Sequence, residues 1–405
     1  MRVNIAITSF SIMLNGTLGA IFYFTLAKLL STSEYGVFIT ATTLMTMLSS
    51  LADFGSNQTM IKFFPKDNFK FPKLALKLKV LSGGVISLIF LFYSSLIAKY
   101  FFLKPELAVS FKFVGIGTLC LMLFSFSYSL AQAQEKYTRW GLLFVGTNAV
   151  RLLGVVALYF MGILTAFSTI ILFILLPALG FIFGLWGNEK ILQTKDENSK
   201  IKEFLGFNKW VTGFVVLSTL ASKVDTLMMG RFLDLSSVAV YGLATQMVLV
   251  FQQLSLAIGA VTSPKLAGLK TVKQNNSYVS RVLKVNTVIF VGVTLFLVPL
   301  ATIFTSYLGK HYSQSMLPFF ILIISSGMFF ILSPIRDSIL YFLSKPNFFV
   351  YMGAIILIIN ILFSWWLIPA FGILGAALVS LLGQLILSMS SILYYAKKNN
   401  SPLLN

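Results

Sequence analysis

The feature that most constrains this chain is a succession of apolar runs, each near the length of a bilayer-spanning helix, with little chain between them. A helix needs about 20 predominantly apolar residues to cross a hydrocarbon core. Such runs occupy 5–30, 37–61, 78–101, 107–131, 141–161, 164–187, 210–230, 238–262, 285–304, 316–342, 348–368 and 373–395. No connection between them is long enough for a folded extramembrane domain. Of 405 residues, 57% are hydrophobic and 11% charged, where soluble domains carry about 25% charged residues. One water-soluble core cannot hide that much apolar surface. The expected class is an all-α membrane protein of about 12 transmembrane helices.

The charge balance then orients the helices. The chain carries 31 basic and 12 acidic residues, a net charge of +19. A basic excess also marks nucleic-acid-binding chains, but here the cations sit in the links between apolar runs. Membrane proteins concentrate Lys and Arg in cytoplasmic links, so no nucleic-acid partner is expected. One alternate set of links, together with the termini, holds 22 Lys and Arg, including Lys73, Lys77 and Lys79 around the start of the third run. The opposite set holds 4: Lys99, Lys104, Arg231 and Lys310. Both termini are expected in the cytoplasm, and the alternation supports an even helix count. The polar link near 189–208 separates six helices from six. The expected domains are an N-terminal lobe at 1–188, a cytoplasmic linker at 189–208 and a C-terminal lobe at 209–405.

Cys120 and His311 are the only residues of their types. No intramolecular disulfide can form, and a metal site built on His or Cys is not expected. The run at 5–30 is long enough to span and lacks the short core and small-residue cleavage site of a signal peptide.

The halves resemble each other. Ala27-Lys28-Leu29-Leu30 precedes Tyr35-Gly36, and Gly230-Arg231-Phe232-Leu233 precedes Tyr241-Gly242, with the tyrosines 206 positions apart. Glu135-Lys136 and Ser344-Lys345 occupy matching links, 209 positions apart. A six-helix unit used twice gives parallel repeats, and transporters built so place the substrate between the halves.

Apart from Lys79 and Lys99, counted with the links, eight ionisable residues fall inside the apolar runs: Lys28, Lys112, Arg151, Lys223 and Arg336, with Asp53, Asp225 and Asp337. A charge at the bilayer centre costs at least about 2.5–3.5 kcal/mol, so each should face a wet cavity or a partner. Arg151 lies about 15 Å into its helix at 1.5 Å per residue, near the midplane. Lys28 and Lys112 lie near the outer surface and can snorkel. Lys223–Asp225 and Arg336–Asp337 are too close in sequence to pair along one helix face, so each looks to another helix or to water. Structural ion pairing between helices is the competing account of all eight. Polar stripes at helical spacing add a second signal: Thr43, Thr46, Ser50, Asp53 and Asn57 on helix 2, Thr8, Ser11, Asn15 and Gly19 on helix 1, and Thr212, Thr219, Ser222 and Thr226 on helix 7. Such hydroxyls also glue helices together. Stripes on the first helices of both halves point to a shared hydrophilic cavity. Five cations against three carboxylates favour an anionic passenger such as a diphosphate.

Ala27-Lys28-x-Leu30, Glu34-Tyr35-Gly36, Ala52-Asp53-Phe54-Gly55, Val240-Tyr241-Gly242-Leu243-Ala244 and Phe371-Gly372-Ile373-Leu374-Gly375-Ala376-Ala377 together resemble the Wzx-type polysaccharide repeat-unit flippases. These belong to the multidrug/oligosaccharidyl-lipid/polysaccharide exporter superfamily. The resemblance covers essentially the whole chain. It implies two six-helix lobes around a central cavity. It also implies movement of an undecaprenyl-diphosphate-linked repeat unit, as for O-antigen or capsule, from the cytoplasmic to the periplasmic leaflet of a bacterial inner membrane. Lys28, Arg151, Lys223 and Arg336, with Lys112 and Asn15, become candidate diphosphate or sugar contacts. Asp53, Asp225 and Asp337 become candidates for coupling or charge pairing. Lys28 stands where arginine is more frequent, which loses bidentate phosphate geometry. The family implies no bound cofactor or metal, an H+ or Na+ gradient as coupling ion in some members, membrane lipid and a lipid-linked oligosaccharide as partners, a polymerase and chain-length regulator in the pathway, and a monomer.

Two other readings stand beside this one. A cation-coupled multidrug exporter of the same superfamily should show an acidic cavity. A membrane polymerase or glycosyltransferase usually needs a sizeable outer loop or an Asp-x-Asp motif, and this sequence contains neither. A purely structural scaffold fits poorly with charges buried on several helices. The topology is directly testable: alkaline phosphatase fused in the link after Leu103 should be active, whereas the same reporter fused after Lys398 should be silent. An active C-terminal fusion would reverse the orientation.

Overall fold

The computed structural model describes residues 2–67, 72–186, 188 and 198–399. Among the described residues the chain is helical and has no strand. In order, the helices are α1 (Arg2–Leu29), α2 (Thr32–Ala52), α3 (Ser56–Asp67), α4 (Pro72–Leu96), α5 (Ala108–Ala133), α6 (Tyr137–Phe160), α7 (Ala166–Leu185) and α8 (Asn198–Phe232). They continue with α9 (Leu235–Ala267), α10 (Val272–Leu308), α11 (Lys310–Ser313), α12 (Met316–Ile331), α13 (Ser333–Asp337), α14 (Pro346–Phe371) and α15 (Ile373–Asn399). Among the described residues 11 helices are long and apolar enough to cross a membrane. The expected span at 210–230 falls within α8, where Lys223 and Asp225 interrupt the apolar sequence. Of the expected linker, 189–197 lies outside the described residues and 198–208 is helical.

Lipid-facing and protein-facing helices differ in what they bury. Along α10, Val288, Leu295 and Phe296 are each about 70% exposed, which suits a hydrocarbon solvent. By contrast α2 is buried on most sides, with Tyr35, Phe38, Ala41 and Met45 inaccessible. Phe38 meets Phe22 of α1 at 6.0 Å and Phe173 of α7 at 5.9 Å, both edge to face. The buried hydroxyls of Thr40 and Thr42 donate back to the carbonyls of Gly36 and Phe38, at 2.8 and 2.7 Å. Their polarity is thereby satisfied without a partner helix.

Two apolar runs read as single helices are in fact broken. The run at 37–61 is divided at Asp53-Phe54-Gly55, where Phe54 and Gly55 adopt φ of +48° and +68°. Left-handed backbone ends an α-helix, and the polar stripe from Thr43 to Asn57 therefore lies on two helices. The run at 316–342 stops at Ile331, restarts at Ser333 with Pro334 in the first turn, and passes into a π-turn at Ser338–Phe342. Proline cannot supply the missing N–H, so a fresh helix start is the natural place for it.

Similar backbone turns recur in the two halves of the sequence. Glu135 and Ser344, the residues before Lys136 and Lys345, both adopt positive φ, +57° and +53°. Gly162 and Gly372, past the ends of α6 and α14, do so as well, at +69° and +59°. The break after α2 has no counterpart in α9, which runs unbroken for 33 residues.

The chain divides into two compact units, Met1–Ala239 and Val240–Asn405. The first includes α8, and its polar contacts show what holds α8 there. Lys104 Nζ donates to the carbonyl of Gly230 at 2.8 Å, near the C-terminus of α8. Arg231 Nη1 donates in return to the carbonyls of Tyr100, at 3.2 Å, and Phe101, in the π-turn that ends α4. Each cation thus satisfies carbonyls left open where the other helix ends, where the macrodipole also favours positive charge. Burial lowers the pKa of the Lys104 ammonium. At Thr212, the hydroxyl donates to the carbonyl of Phe54 at 2.6 Å.

The closest backbone approach in this unit is at Gly36. A Cβ there would stand 1.9 Å from the carbonyl oxygen of Leu235. Gly36→Ala should therefore destabilise the protein by roughly 1–3 kcal/mol, whereas Gly292→Ala, with open space around its Cβ, should be neutral or slightly stabilising. Thermal unfolding of both variants in detergent measures the contrast. Equal melting temperatures would refute the close approach.

Candidate functional site

The first unit carries an open cavity of about 500 Å³. Its walls come from α1, α2, α3, α5, α6 and α7, with Val215 contributed by α8. Two charged features dominate it, and they behave differently.

The first is Asp53, at the break after α2. The left-handed turn at Phe54-Gly55 folds the chain back so that the carboxylate caps α3. Oδ1 accepts from Ser56 Oγ at 2.9 Å, and Oδ2 accepts from the backbone N–H of Asn57 at 3.3 Å. An acidic group at a helix N-terminus is favourable on both counts, hydrogen bonding and dipole. The Lys79 ammonium of α4 forms a salt bridge with the same carboxylate and donates to Ser125 Oγ at 3.0 Å. The lysine side chain is wholly buried and that of Asp53 is 7% exposed.

Lys79 therefore does not belong with the cytoplasmic-link cations among which the charge tally placed it. The helical period shows why. Ala75, Lys79 and Gly83 are four apart and all buried, a single packing row of α4. Lys73 and Lys77 are exposed. Small residues on either side of Lys79 were the legible signal that it faces inward.

The second feature is Arg151 of α6. Its guanidinium stacks over the Phe173 ring of α7, 4.0 Å from the centroid. Nη1 donates to Asn148 Oδ1 at 3.1 Å, and the Asn148 amide donates to Asn15 Oδ1 of α1 at 2.7 Å. Asn148 and Arg151 are three apart on one helix face, so the amide chain aims the guanidinium across from α1 to α7. Among the described residues no carboxylate pairs with Arg151, and its buried Nε has no hydrogen-bond partner. Because Lys79 neutralises Asp53, the charge of Arg151 is uncompensated among the described residues.

Of the residues singled out from sequence, Asn15, Asp53 and Arg151 line this one cavity. Thr46, Ser50 and Asn57 of the helix 2 stripe and Gly19 of the helix 1 stripe line it too. None of the helix 7 hydroxyls does. Lys28 and Lys112 are exposed. Lys223 is half-buried on α8, two residues from buried Asp225, whose Oδ1 accepts from the Thr226 N–H at 2.6 Å. Arg336 and Asp337 lie in the second unit. There Arg336 repeats the Arg151 arrangement: it stacks 4.0 Å from the Phe329 centroid and donates through Nη2 to the Phe329 carbonyl at 2.5 Å, with Nη1 buried and unbonded. Asp337 Oδ2 accepts from Thr262 at 3.4 Å. Sequence reading missed Lys79, Asn148 and Phe173. An amide and a phenylalanine within apolar runs carry no signal of their own until a neighbouring helix is known.

The Asp53–Lys79 pair makes a prediction about stability. Removing one member of a buried pair strands a charge, at a cost of about 3–5 kcal/mol, whereas exposed pairs contribute about 0–1 kcal/mol. Lys79→Ala should lower the melting temperature strongly, and Asp53→Asn/Lys79→Met should recover most of the loss. A near-wild-type melting temperature for Lys79→Ala would place the pair in solvent.

Comparison with known proteins agrees with this architecture. The fold is similar to that of the lipid II flippase MurJ in its inward closed conformation, with a TM-score of 0.79 and 16% identity over 97% of this chain and 87% of that one. It is also similar to an inward-facing multidrug resistance MATE family transporter of the MOP superfamily (0.72, 12% identity, 95% and 94% covered) and to the Vibrio cholerae MATE transporter VcmN (0.66, 17%, 100% and 97%). An uncharacterized membrane protein of Methanocaldococcus jannaschii is 25% identical over 231 residues, 55% of this chain and 44% of that protein. The match thus spans less than half the length of that relative. The molecule is a multi-pass membrane protein with the fold of MOP-type transporters. The model of one family, described as polysaccharide biosynthesis protein, matches residues 25–317, more than two thirds of the chain, and the protein belongs to that family.

Proposed function

We propose that the protein is a flippase that carries an undecaprenyl-diphosphate-linked oligosaccharide repeat unit from the cytoplasmic to the periplasmic leaflet by alternating access. The observation that carries this reading is the cavity in which, among the described residues, Arg151 has no carboxylate partner. A guanidinium held by an aromatic face and an amide suits a diphosphate. Membership of a polysaccharide biosynthesis family and a fold shared with a lipid II flippase support a lipid-linked glycan as the passenger. In this reading Arg151 and Asn15 contact the head group in the first unit. Arg336 and Lys223 offer further cationic contacts, and Lys28 and Lys112 take the passenger up or release it near the outer surface. Asp225 and Asp337 serve coupling or charge balance, and Asp53 is held by Lys79.

The prenyl tail stays in lipid while the head group crosses, so no covalent bond is broken and no catalytic residue is required. The host is a bacterium, the membrane its inner one, and both termini are cytoplasmic. The protein acts as a monomer with H+ or Na+ as coupling ion, and hands its product to a polymerase and chain-length regulator.

The fold is equally that of a multidrug resistance MATE family transporter, and a cation-coupled multidrug exporter is the second reading. A cationic drug needs an available carboxylate, and the carboxylate lining this cavity is neutralised by Lys79, which disfavours that reading.

Complementation of a strain lacking its repeat-unit flippase tests the proposal at matched membrane abundance. Wild type should restore surface glycan. Arg151→Ala should reduce it by about 10- to 100-fold, the loss of one charge-assisted contact, and Arg151→Lys should retain part. Full glycan with Arg151→Ala would make the guanidinium structural. Drug resistance without restored glycan would favour the exporter.

A further inference from the structure

One wall of the cavity is aromatic, and the diphosphate reading makes no use of it. Phe124, Tyr128 and Phe144 all line the cavity. Phe124 meets Tyr128 edge to face at 5.5 Å, and Tyr128 meets Phe144 at 6.1 Å. Trp140 stacks on Phe144 at 5.0 Å and 20°. The ladder is two i, i+4 pairs, Phe124–Tyr128 on α5 and Trp140–Phe144 on α6, so each pair occupies one helix face. Trp140 is itself 7% exposed and backs one face of the Phe144 ring, leaving the rest of that ring to the cavity. Polar groups rim the same space. Gln58 and Ser125 line it, and Asn57 lines it with a buried Oδ1 that has no hydrogen-bond partner.

An apolar ring face bordered by amides and hydroxyls is matched to one class of ligand. A pyranose has an apolar face of C–H bonds and an equatorial rim of hydroxyls, so it stacks on an aromatic ring and hydrogen-bonds at its edge. Lipid tails would leave the amides unsatisfied, and a phosphate would gain nothing from the rings. We infer that Phe144, backed by Trp140 and flanked by Tyr128, is the platform for the sugar nearest the diphosphate, with Asn57 Oδ1 accepting a hydrogen bond from that sugar. The inference rests on the flippase reading and deepens it, by assigning sugar recognition to residues distinct from the anion contact at Arg151.

The test uses the full-length protein in lipid nanodiscs and two radiolabelled probes, undecaprenyl diphosphate and undecaprenyl-diphosphate-N-acetylglucosamine. Wild type should bind the sugar-bearing probe more tightly. Phe144→Leu should lose that margin, about two- to tenfold, without changing affinity for the bare lipid, and Phe144→Tyr should keep it. Asn57→Ala, which leaves the aromatic packing intact, should also weaken the sugar-bearing probe alone. Arg151→Gln should weaken both probes equally. Equal wild-type affinity for the two probes would overturn the platform and leave the diphosphate reading standing. Phe144→Leu and Asn57→Ala weakening both probes alike would likewise make the wall structural. Wild type binding neither probe would defeat both proposals.

Discussion

A carboxylate and an ammonium buried side by side at the end of α2 set the electrical character of the first unit. Neither Asp53 nor Lys79 could be buried alone at tolerable cost. Together they satisfy each other and the start of α3, and the helix break that brings them together also shapes the cavity wall. Their mutual neutralisation has a consequence at a distance. Among the described residues the cavity is left with Arg151 unpaired by a carboxylate, where the sequence shows an arginine and an aspartate.

Around this pair the structure handles polarity locally. Thr40 and Thr42 return their hydroxyls to their own helix, and Arg151 and Arg336 spread their charge over Phe173 and Phe329. Lys104 and Arg231 close the carbonyls of each other's helix ends. In a low-dielectric solvent an unsatisfied polar group is expensive, so each such arrangement restricts which helices can be neighbours. The clasp at Lys104 and Arg231, with the hydrogen bond of Thr212 to Phe54, explains why α8 belongs to the first compact unit although it follows the polar linker. The asymmetry of the repeat has the same origin: matching turns recur at Glu135 and Ser344, yet only the first repeat carries the Asp53 break.

Much of this was legible without coordinates. Membrane class and helix number follow from the lengths of the apolar runs, because hydrocarbon thickness imposes a length on any helix that crosses it. Arg151 and Asp53 stood out because charge inside an apolar run is costly and so calls for a cavity or a partner. Asn15 was legible through its polar stripe. Lys79 was not, because a lysine at the edge of a run reads as a loop cation until the buried row of Ala75 and Gly83 is set beside it.

The amino-acid sequence by itself determined that the chain lives in a bilayer, roughly where each helix lies, and that ionisable groups fall inside its apolar runs. These are properties of single segments in a solvent. Only the tertiary structure decided which of those charges cancel. It paired Asp53 with Lys79 across 26 positions, placed Phe173 under Arg151, and brought Phe124, Tyr128 and Phe144 onto one wall. Pairing of that kind depends on which helix faces meet, and a hydropathy pattern carries no record of neighbours.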